Sequence, residues 1–130
     1  MGSLHPTRDF AYVTDTADAF IAMLECPLQN IVGEVFNGGS GFEVSMGDTA
    51  RMIAQVMEAD IEIVCDEQRL RPKNSEVERL WADNTRLTAL TGWKPEHGDL
   101  EGFRRGLEKT AQWFAHPKNL AGYKSGIYNI

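Results

Sequence analysis

Residues 35–50, VFNGGSGFEVSMGDTA, contain several glycines and polar residues of the types that bind a cofactor. A strand that runs into glycines and then into a helix start is how dinucleotide-binding loops are built, because the backbone must approach the pyrophosphate closely. The glycine spacing that such a loop needs is G-x-G-x-x-G. Gly39 and Gly41 match the first two positions, but Val44 occupies the third. The segment is therefore predicted to be a tight turn before a capped helix, and no cofactor-binding residue is predicted.

Other residue types that perform catalysis lack the spacing that their chemistry needs. The three histidines have no His or Cys neighbour at metal-ligand spacing, so no metal ligand is predicted. Ser40, within GGSGF, lacks the G-x-S-x-G pattern of an exposed nucleophile. The chain contains no Tyr-x-x-x-Lys, the proton-transfer pair of many nicotinamide enzymes. Cys26 and Cys65 form no Cys-x-x-Cys pair and are predicted to be buried free thiols, ahead of a disulfide or metal role. No catalytic residue is predicted.

Length and charge limit the class of protein. The 130 residues fit one domain, with 42% hydrophobic and 25% charged residues. The formal net charge of −6 argues against nucleic acid, whose binding relies on clustered Lys and Arg. No apolar run approaches the roughly 20 residues of a membrane helix, and the N-terminal sequence lacks a signal-peptide layout. A cytoplasmic location is therefore expected.

The apolar patterning predicts a small α/β or α+β domain, with three main helices and several short strands in an incomplete sheet. Strands are expected at 8–13, 33–37 and 61–64, with a brief one at 80–83. Residues 117–130 are expected to form an irregular tail, because they are rich in Gly and Asn.

Capping residues mark the predicted helix starts. Asp15 or Thr16 is expected to cap the first helix. Ser45 and Asp48 form a capping box for the second helix, and Asp99 is expected to cap the last one.

A polar segment lies between the second and third helical regions. Residues 66–79, DEQRLRPKNSEVER, are predicted to be an exposed loop, and loops are where binding residues concentrate. Trp81 and Trp93 each lie next to a segment boundary and are expected to be packed residues.

Three segments resemble the C-terminal half of extended short-chain dehydrogenase/reductases in order and spacing. They are PTRDFAYVTDTADAF, GEVFNGGSGFEVSMGDTARMI and RLRPKNSEVERLWADNTRLTALTGWKP, and GDLEGFRRGLEKTAQWF is similar to the family's last helix. The resemblance covers nearly the whole chain. It is closest to the nucleotide-sugar epimerases and 4,6-dehydratases, and within them to dehydratases acting on UDP-N-acetylhexosamines. Each motif is modest alone, but the ordered set is specific.

The resemblance implies a Rossmann-type enzyme of which this chain holds one part. In the family, the NAD(P) loop and the Tyr-x-x-x-Lys pair lie in the N-terminal half, and neither occurs here. Residues 1–130 are thus expected to be the C-terminal substrate-binding lobe, lacking the dinucleotide-binding half. The chain alone is expected to bind no cofactor, whereas the full-length family uses NAD(P). Within the family, NGGSG ends a strand that joins the main sheet.

The resemblance also implies substrate-binding roles for Arg8, Arg71, Ser75 and Glu76. The Arg of the family's R-D-aromatic motif, here Arg8, and the Arg before Pro, here Arg71, face the substrate diphosphate. Guanidinium forks suit this role because they donate two parallel charge-assisted hydrogen bonds to phosphate oxygens. Ser75 and Glu76 lie where related chains place a polar residue near the nucleotide ribose or phosphates.

The residues by themselves leave other interpretations open. The alternative role of Arg8 is an ordinary ion pair with Asp9 or Asp15. The alternative role of Arg71 is that of a solvated charge in an exposed loop.

Two functions follow from these expectations. The first is a nucleotide-sugar-binding lobe, with a UDP-sugar as ligand, that belongs to an NAD(P)-dependent lyase or isomerase and is not catalytic by itself. Its partner would be a separate Rossmann-domain chain. The second is a non-enzymatic module that kept the fold and associates with itself or a partner, because a lobe without its sheet domain exposes apolar surface. A homo-oligomer is expected in that case.

Overall fold

A computed structural model describes residues 1–67, 70 and 75–123. Its elements, in chain order, are β1 (Thr7–Asp9), α1 (Val13–Leu24), a 3-10 turn (Leu28–Asn30), β2 (Glu43–Ser45), α2 (Met46–Val56), β3 (Arg79–Leu80), α3 (Thr85–Thr91), α4 (Leu100–Ala115) and α5 (Pro117–Leu120). The small α/β architecture predicted from the sequence is confirmed.

The described strands form one small sheet in the order β2-β1-β3. β2 is antiparallel to the central strand β1, with Val44 opposite Arg8. β3 is parallel to β1, with Leu80 opposite Arg8. The arginine of the R-D-aromatic motif therefore lies in the middle of the sheet, where both neighbouring strands fix its backbone.

The main core lies between α1, α3 and the segment that follows α3. Ala19, Leu87 and Trp93 are buried together, and the residues Ala22, Met23 and Phe36 pack against them. The burial of Trp93 agrees with its predicted packing role. Apart from this core, the ring of Phe103 in α4 stacks on Phe10, with ring centroids 5.7 Å apart.

α2 and α4 begin at their predicted caps. The Ser45 hydroxyl accepts a hydrogen bond from the Asp48 amide at 3.0 Å. The Asp99 carboxylate accepts one from the Gly102 amide at 2.6 Å. Each such cap contributes about 1 kcal/mol by satisfying an otherwise unpaired helix N–H. Both cap predictions are confirmed.

Two strand predictions were wrong and a third was too long. Residues 33–37 and 61–64 form no strand in the part of the chain that the structure describes, and β1 covers only the beginning of 8–13. A strand is stable only when a neighbouring strand takes up its backbone hydrogen bonds. Val35, in the middle of the first of these segments, is 79% exposed.

The prediction for the start of α1 was also wrong. α1 begins at Val13, directly after Tyr12, and no side chain caps its first turn. Asp15 lies inside the first turn, buried, where its carboxylate binds His97 from the loop before α4. A long-range partner has taken the side chain that local sequence assigns to the cap.

Two further expectations need correction. Trp81 is 57% exposed and is not a core residue. Its ring lies against the Arg79 guanidinium, and its indole N–H donates to the Gly41 carbonyl. Of the two thiols, Cys65 is exposed and Cys26 is half-buried, so neither is fully buried.

The tail was expected to be irregular from residue 117, but its first residues form α5. Pro117 occupies the first helical position, where its missing N–H costs nothing. The His116 side chain accepts a hydrogen bond from the Lys118 amide at 3.3 Å. These two local features explain the helical turn.

Candidate functional site

The glycine-rich turn at residues 38–41 is held by Asp9, at the end of β1. One carboxylate oxygen accepts hydrogen bonds from the Ser40 amide at 2.7 Å and the Ser40 hydroxyl at 2.6 Å. The other oxygen accepts from the Gly41 amide at 3.0 Å and the Ala82 amide at 3.1 Å. A single carboxylate thus joins the turn, β1 and the segment after β3.

Asn84 holds the same turn from the start of α3. The Gly39 amide donates to its side-chain oxygen at 3.0 Å, and its side-chain nitrogen donates to the Gly39 carbonyl at 2.8 Å. A Cβ on Gly39 would lie 2.5 Å from that of Ala82 and 2.8 Å from the Asp9 carboxylate, so only glycine fits this close approach.

These contacts decide what the glycine turn offers to a cofactor. The amides of Gly39, Ser40 and Gly41 all donate within the protein, and an acidic side chain lies where a dinucleotide loop would place an anion. The residues of the turn therefore do not fit a pyrophosphate. Gly41 has a φ of +70°, as expected of glycine in a tight turn. The sequence prediction of a turn is confirmed.

Arg8 meets Glu76 beside the central strand. Arg8 Nη2 lies 3.5 Å from Glu76 Oε1, and the two side chains are only 21% and 13% exposed. Arg8 Nη1 also donates to the carbonyls of Thr7 at 2.7 Å and Val77 at 2.8 Å. The guanidinium is thereby fixed between β1 and the segment that leads into β3.

The structure brings together two of the four predicted substrate-binding residues, Arg8 and Glu76. Ser75 lies at the surface, one residue before Glu76. Arg71 lies outside the described residues, so its role stays a prediction. The alternative partners of Arg8 were wrong. Asp9 binds the glycine turn and Asp15 binds His97, which leaves Glu76 as the carboxylate beside Arg8.

A second ion pair crosses the whole sheet. Arg79 on β3 donates from Nε to Glu43 on β2 at 2.7 Å, and the Thr7 hydroxyl on β1 donates to the same carboxylate oxygen at 2.7 Å. The hydrogen bond from Arg79, followed by that from Thr7, holds the pKa of Glu43 below its usual value. All three strands are therefore linked by one ionised carboxylate.

This link predicts an acid-sensitive contribution to stability. A carboxyl group with a depressed folded-state pKa stabilises the fold above its unfolded-state pKa and loses that contribution as the pH falls through the folded value. We expect the free energy of unfolding to decrease as the pH is lowered below about 4.3, the ordinary pKa of a glutamate side chain. Glu43→Gln should reduce this fall, as measured by urea unfolding between pH 7 and pH 3. An acid dependence unchanged by Glu43→Gln, and equal to that of the exposed control Glu62→Gln, would contradict the assignment.

A buried polar cluster that no sequence motif indicates links α1 to α4. His97 and Asp15 are 1% and 3% exposed. Asp15 accepts hydrogen bonds from the His97 amide and from Nδ1 of the ring, each at 2.9 Å. Lys109 Nζ lies 3.1 Å from Nε2 of the ring. The Tyr12 ring lies against it at 4.5 Å. Because these residues are far apart in sequence, no spacing pattern could reveal the cluster.

Across 1–67, 70 and 75–123, no three His, Cys, Asp or Glu side chains gather as a metal site would require. None of the helices described has the length and apolarity to cross a membrane.

Comparison with known proteins places the chain in a family. Residues 1–106 match the family model of GDP-mannose 4,6 dehydratase. The chain is 32% identical to GDP-6-deoxy-D-mannose reductase of Pseudomonas aeruginosa over 74% of its residues. It is 30% identical to human dTDP-D-glucose 4,6-dehydratase over 87% of its residues. These alignments cover 30% and 31% of the two relatives, so the chain spans about a third of their length.

Solved structures agree with the sequence matches. Epimerase Mth375 of Methanothermobacter thermautotrophicus superposes with a TM-score of 0.75 at 28% identity, over 92% of this chain and 33% of that one. The UDP-N-acetylglucosamine 4-epimerase of Methanobrevibacter ruminantium, solved with UDP-N-acetylmuramic acid, gives 0.71 at 27% identity, over 88% and 33%. The membership in the extended short-chain dehydrogenase/reductases inferred from the motifs is thus confirmed, whereas the finer resemblance to dehydratases of UDP-N-acetylhexosamines stays a prediction: the chain belongs to the GDP-mannose 4,6 dehydratase family and matches a C-terminal part of these enzymes.

Proposed function

We propose that this chain binds a nucleotide-sugar, with a UDP-sugar as the ligand, as the substrate lobe of an NAD(P)-dependent sugar dehydratase or epimerase. One observation carries the proposal: Arg8 and Glu76, which are distant in sequence, form an ion pair whose side chains are mostly buried. The activities of the relatives support it, since they are reductases, dehydratases and epimerases of nucleotide-sugars.

The chemistry of the site suits the diphosphate part of such a ligand. A guanidinium donates paired, charge-assisted hydrogen bonds to phosphate oxygens, and its partial burial strengthens them. Arg71 is proposed as a second guanidinium at the diphosphate, with Ser75 nearby. Binding energy from the nucleotide would then position the distant sugar for reaction.

We further propose that the chain is not catalytic by itself. The amides of its glycine turn donate to Asp9 and Asn84, so the turn does not fit the dinucleotide that the family uses. NAD(P) would be bound by a Rossmann domain, either on a separate chain or elsewhere in a longer protein. A cytoplasmic location stays a prediction.

Calorimetric titration with UDP and UDP-N-acetylglucosamine tests the proposal. We expect both to bind, and Arg71→Ala to weaken binding about tenfold or more, because it removes charge-assisted hydrogen bonds to phosphate. Arg104→Ala is the matched control, since this exposed arginine lies on α4 and pairs with Glu108. Binding of neither ligand at millimolar concentration would contradict the proposal, as would equal losses in the two variants.

A second function is favoured by one specific observation. Seven large apolar residues between positions 13 and 35 are each at least half exposed: Val13, Phe20, Ile21, Leu24, Leu28, Val32 and Val35. We name this set the 13–35 apolar surface. Exposed apolar surface marks interaction sites on soluble proteins when it is extensive. A module that associates with a second copy or with a partner chain through this surface is therefore the alternative.

Sedimentation over a wide concentration range tests the alternative. Self-association that Leu24→Glu abolishes would support it, with Leu80→Glu as the control on another exposed apolar residue. A chain that stays monomeric at every concentration would contradict self-association.

A further inference from the structure

The amine of Lys109, on α4, lies against a buried imidazole. The lysine side chain is exposed, and its Nζ lies 3.1 Å from Nε2 of His97. Nζ also lies 5.3 Å from the centroid of the Tyr12 ring. The imidazole and the aromatic ring therefore hold this amine in one place, although it belongs to a long and exposed side chain.

A carboxylate holds the imidazole on its other side. Asp15 accepts hydrogen bonds from the His97 amide and from Nδ1 of the ring, each at 2.9 Å. A carboxylate beside Nδ1 favours the tautomer that keeps the ring proton there, which leaves Nε2 free to accept a proton. Both side chains are almost wholly buried, so the ring has little room to turn away from Lys109.

This arrangement is the one by which proteins activate a nucleophile: the nucleophile contacts a base, and a third group orients the base. A neutral lysine amine must release a proton as it bonds to a carbonyl carbon. A base within about 2.6–3.2 Å of the amine can take that proton. Lys109, His97 and Asp15 meet these requirements as nucleophile, base and orienting group.

A cavity beside the imidazole offers room for the other reactant. Its volume is about 200 Å³, and His97 and Tyr12 form part of its wall. Most of the remaining wall is apolar, and includes Phe10, Ile53, Phe103 and Leu107. An apolar cavity of roughly 150 Å³ is enough to hold benzene. The cavity therefore has room for a short apolar acyl chain.

We propose that Lys109 is an acyl-acceptor site, at which the acyl group of a short-chain thioester is transferred to the lysine amine. The ammonium first releases one proton to solvent. As the resulting amine attacks the carbonyl carbon of the thioester, it passes a second proton to Nε2 of His97. The C–N bond forms, the C–S bond breaks, and the departing thiolate takes the proton from Nε2 and leaves as a thiol.

The product is an amide whose acyl chain lies in the cavity, and the positive charge of Lys109 is lost. This assignment does not rest on the proposed binding of a nucleotide-sugar, because it uses none of the residues proposed for that ligand.

The test is incubation of the whole chain with the hexanoyl thioester of N-acetylcysteamine, followed by mass spectrometry of its peptides. Lys94 is the matched control, because it is an exposed lysine in the loop between α3 and α4. We expect Lys109 to be acylated about tenfold or more faster than Lys94, since a positioned general base contributes about 10²–10⁴-fold. The acetyl thioester should show a smaller preference, because its chain is too short to fill the cavity.

His97→Gln distinguishes a base from a ring that only packs. The glutamine amide forms hydrogen bonds but does not act as a base, so acylation of Lys109 should fall to within about twofold of Lys94. A folded variant that keeps the native rate at Lys109 would overturn the inference. So would native rates at Lys109 and Lys94 that agree within twofold, a comparison that decides the matter if the variant does not fold. Equal preferences with the acetyl and hexanoyl thioesters would overturn the role of the cavity.

Discussion

Asp15→Ala is expected to lower the free energy of unfolding by about 4 kcal/mol, because two buried donors lose their acceptor and each costs about 1–3 kcal/mol when it is unpaired. The variant leaves the His97 amide and Nδ1 without their acceptor, and both groups lie where water does not reach. An unpaired buried donor loses its hydration and gains nothing in return. Urea unfolding followed by circular dichroism measures the change.

Two controls distinguish stability lost from the buried cluster from stability lost through a general effect on α1. Asp18→Ala changes an exposed carboxylate on the same helix and should alter stability by less than about 0.5 kcal/mol. Lys109→Met removes the amine beside Nε2 and should cost less than Asp15→Ala, because the lysine is exposed and only one ring nitrogen loses its partner. Equal losses in Asp15→Ala and Asp18→Ala would show that the cluster contributes no special stability.

Asp9→Ala should be the next most damaging change, with an expected loss of about 3 kcal/mol. The carboxylate accepts four hydrogen bonds, three of them from backbone amides of Ser40, Gly41 and Ala82. Its loss releases both the glycine turn and the segment after β3. The loss is smaller than at Asp15 because some of these amides are near solvent, where water replaces the acceptor.

Graded variants show whether the carboxylate itself is needed. Asp9→Asn keeps one acceptor oxygen and should lie between the native chain and Asp9→Ala in urea midpoint. Asp60→Ala, at an exposed carboxylate in a loop, should leave the midpoint within experimental error. If Asp9→Ala unfolds at the native midpoint, the turn is held by Asn84 and Trp81 without help from Asp9.

The sequence by itself determined the features that depend on neighbouring residues. The caps at Ser45 and Asp99 follow from a side chain that reaches an amide three residues ahead, and both formed as predicted. The prediction that the glycine segment is a turn rested on one residue, Val44, at the third position of the glycine spacing. Family membership followed from the order of three motifs, a property of the sequence that needs no coordinates.

Tertiary structure alone decided which partner each ionisable side chain takes. Asp15 was expected to cap a helix and instead binds His97, and Asp9 was a candidate partner of Arg8 and instead binds the glycine turn. A buried carboxylate takes whichever donors the fold brings to it, and these donors come from distant segments.

Strand formation was likewise decided by neighbours. Residues 33–37 have the composition of a strand, yet they form none in the described structure, because a strand depends on the backbone of another segment. A helix satisfies its own hydrogen bonds and a strand does not. Local sequence therefore predicted the starts of α2 and α4, while the start of α1, the pairing in the sheet and the joining of Arg8 to Glu76 required the three-dimensional arrangement.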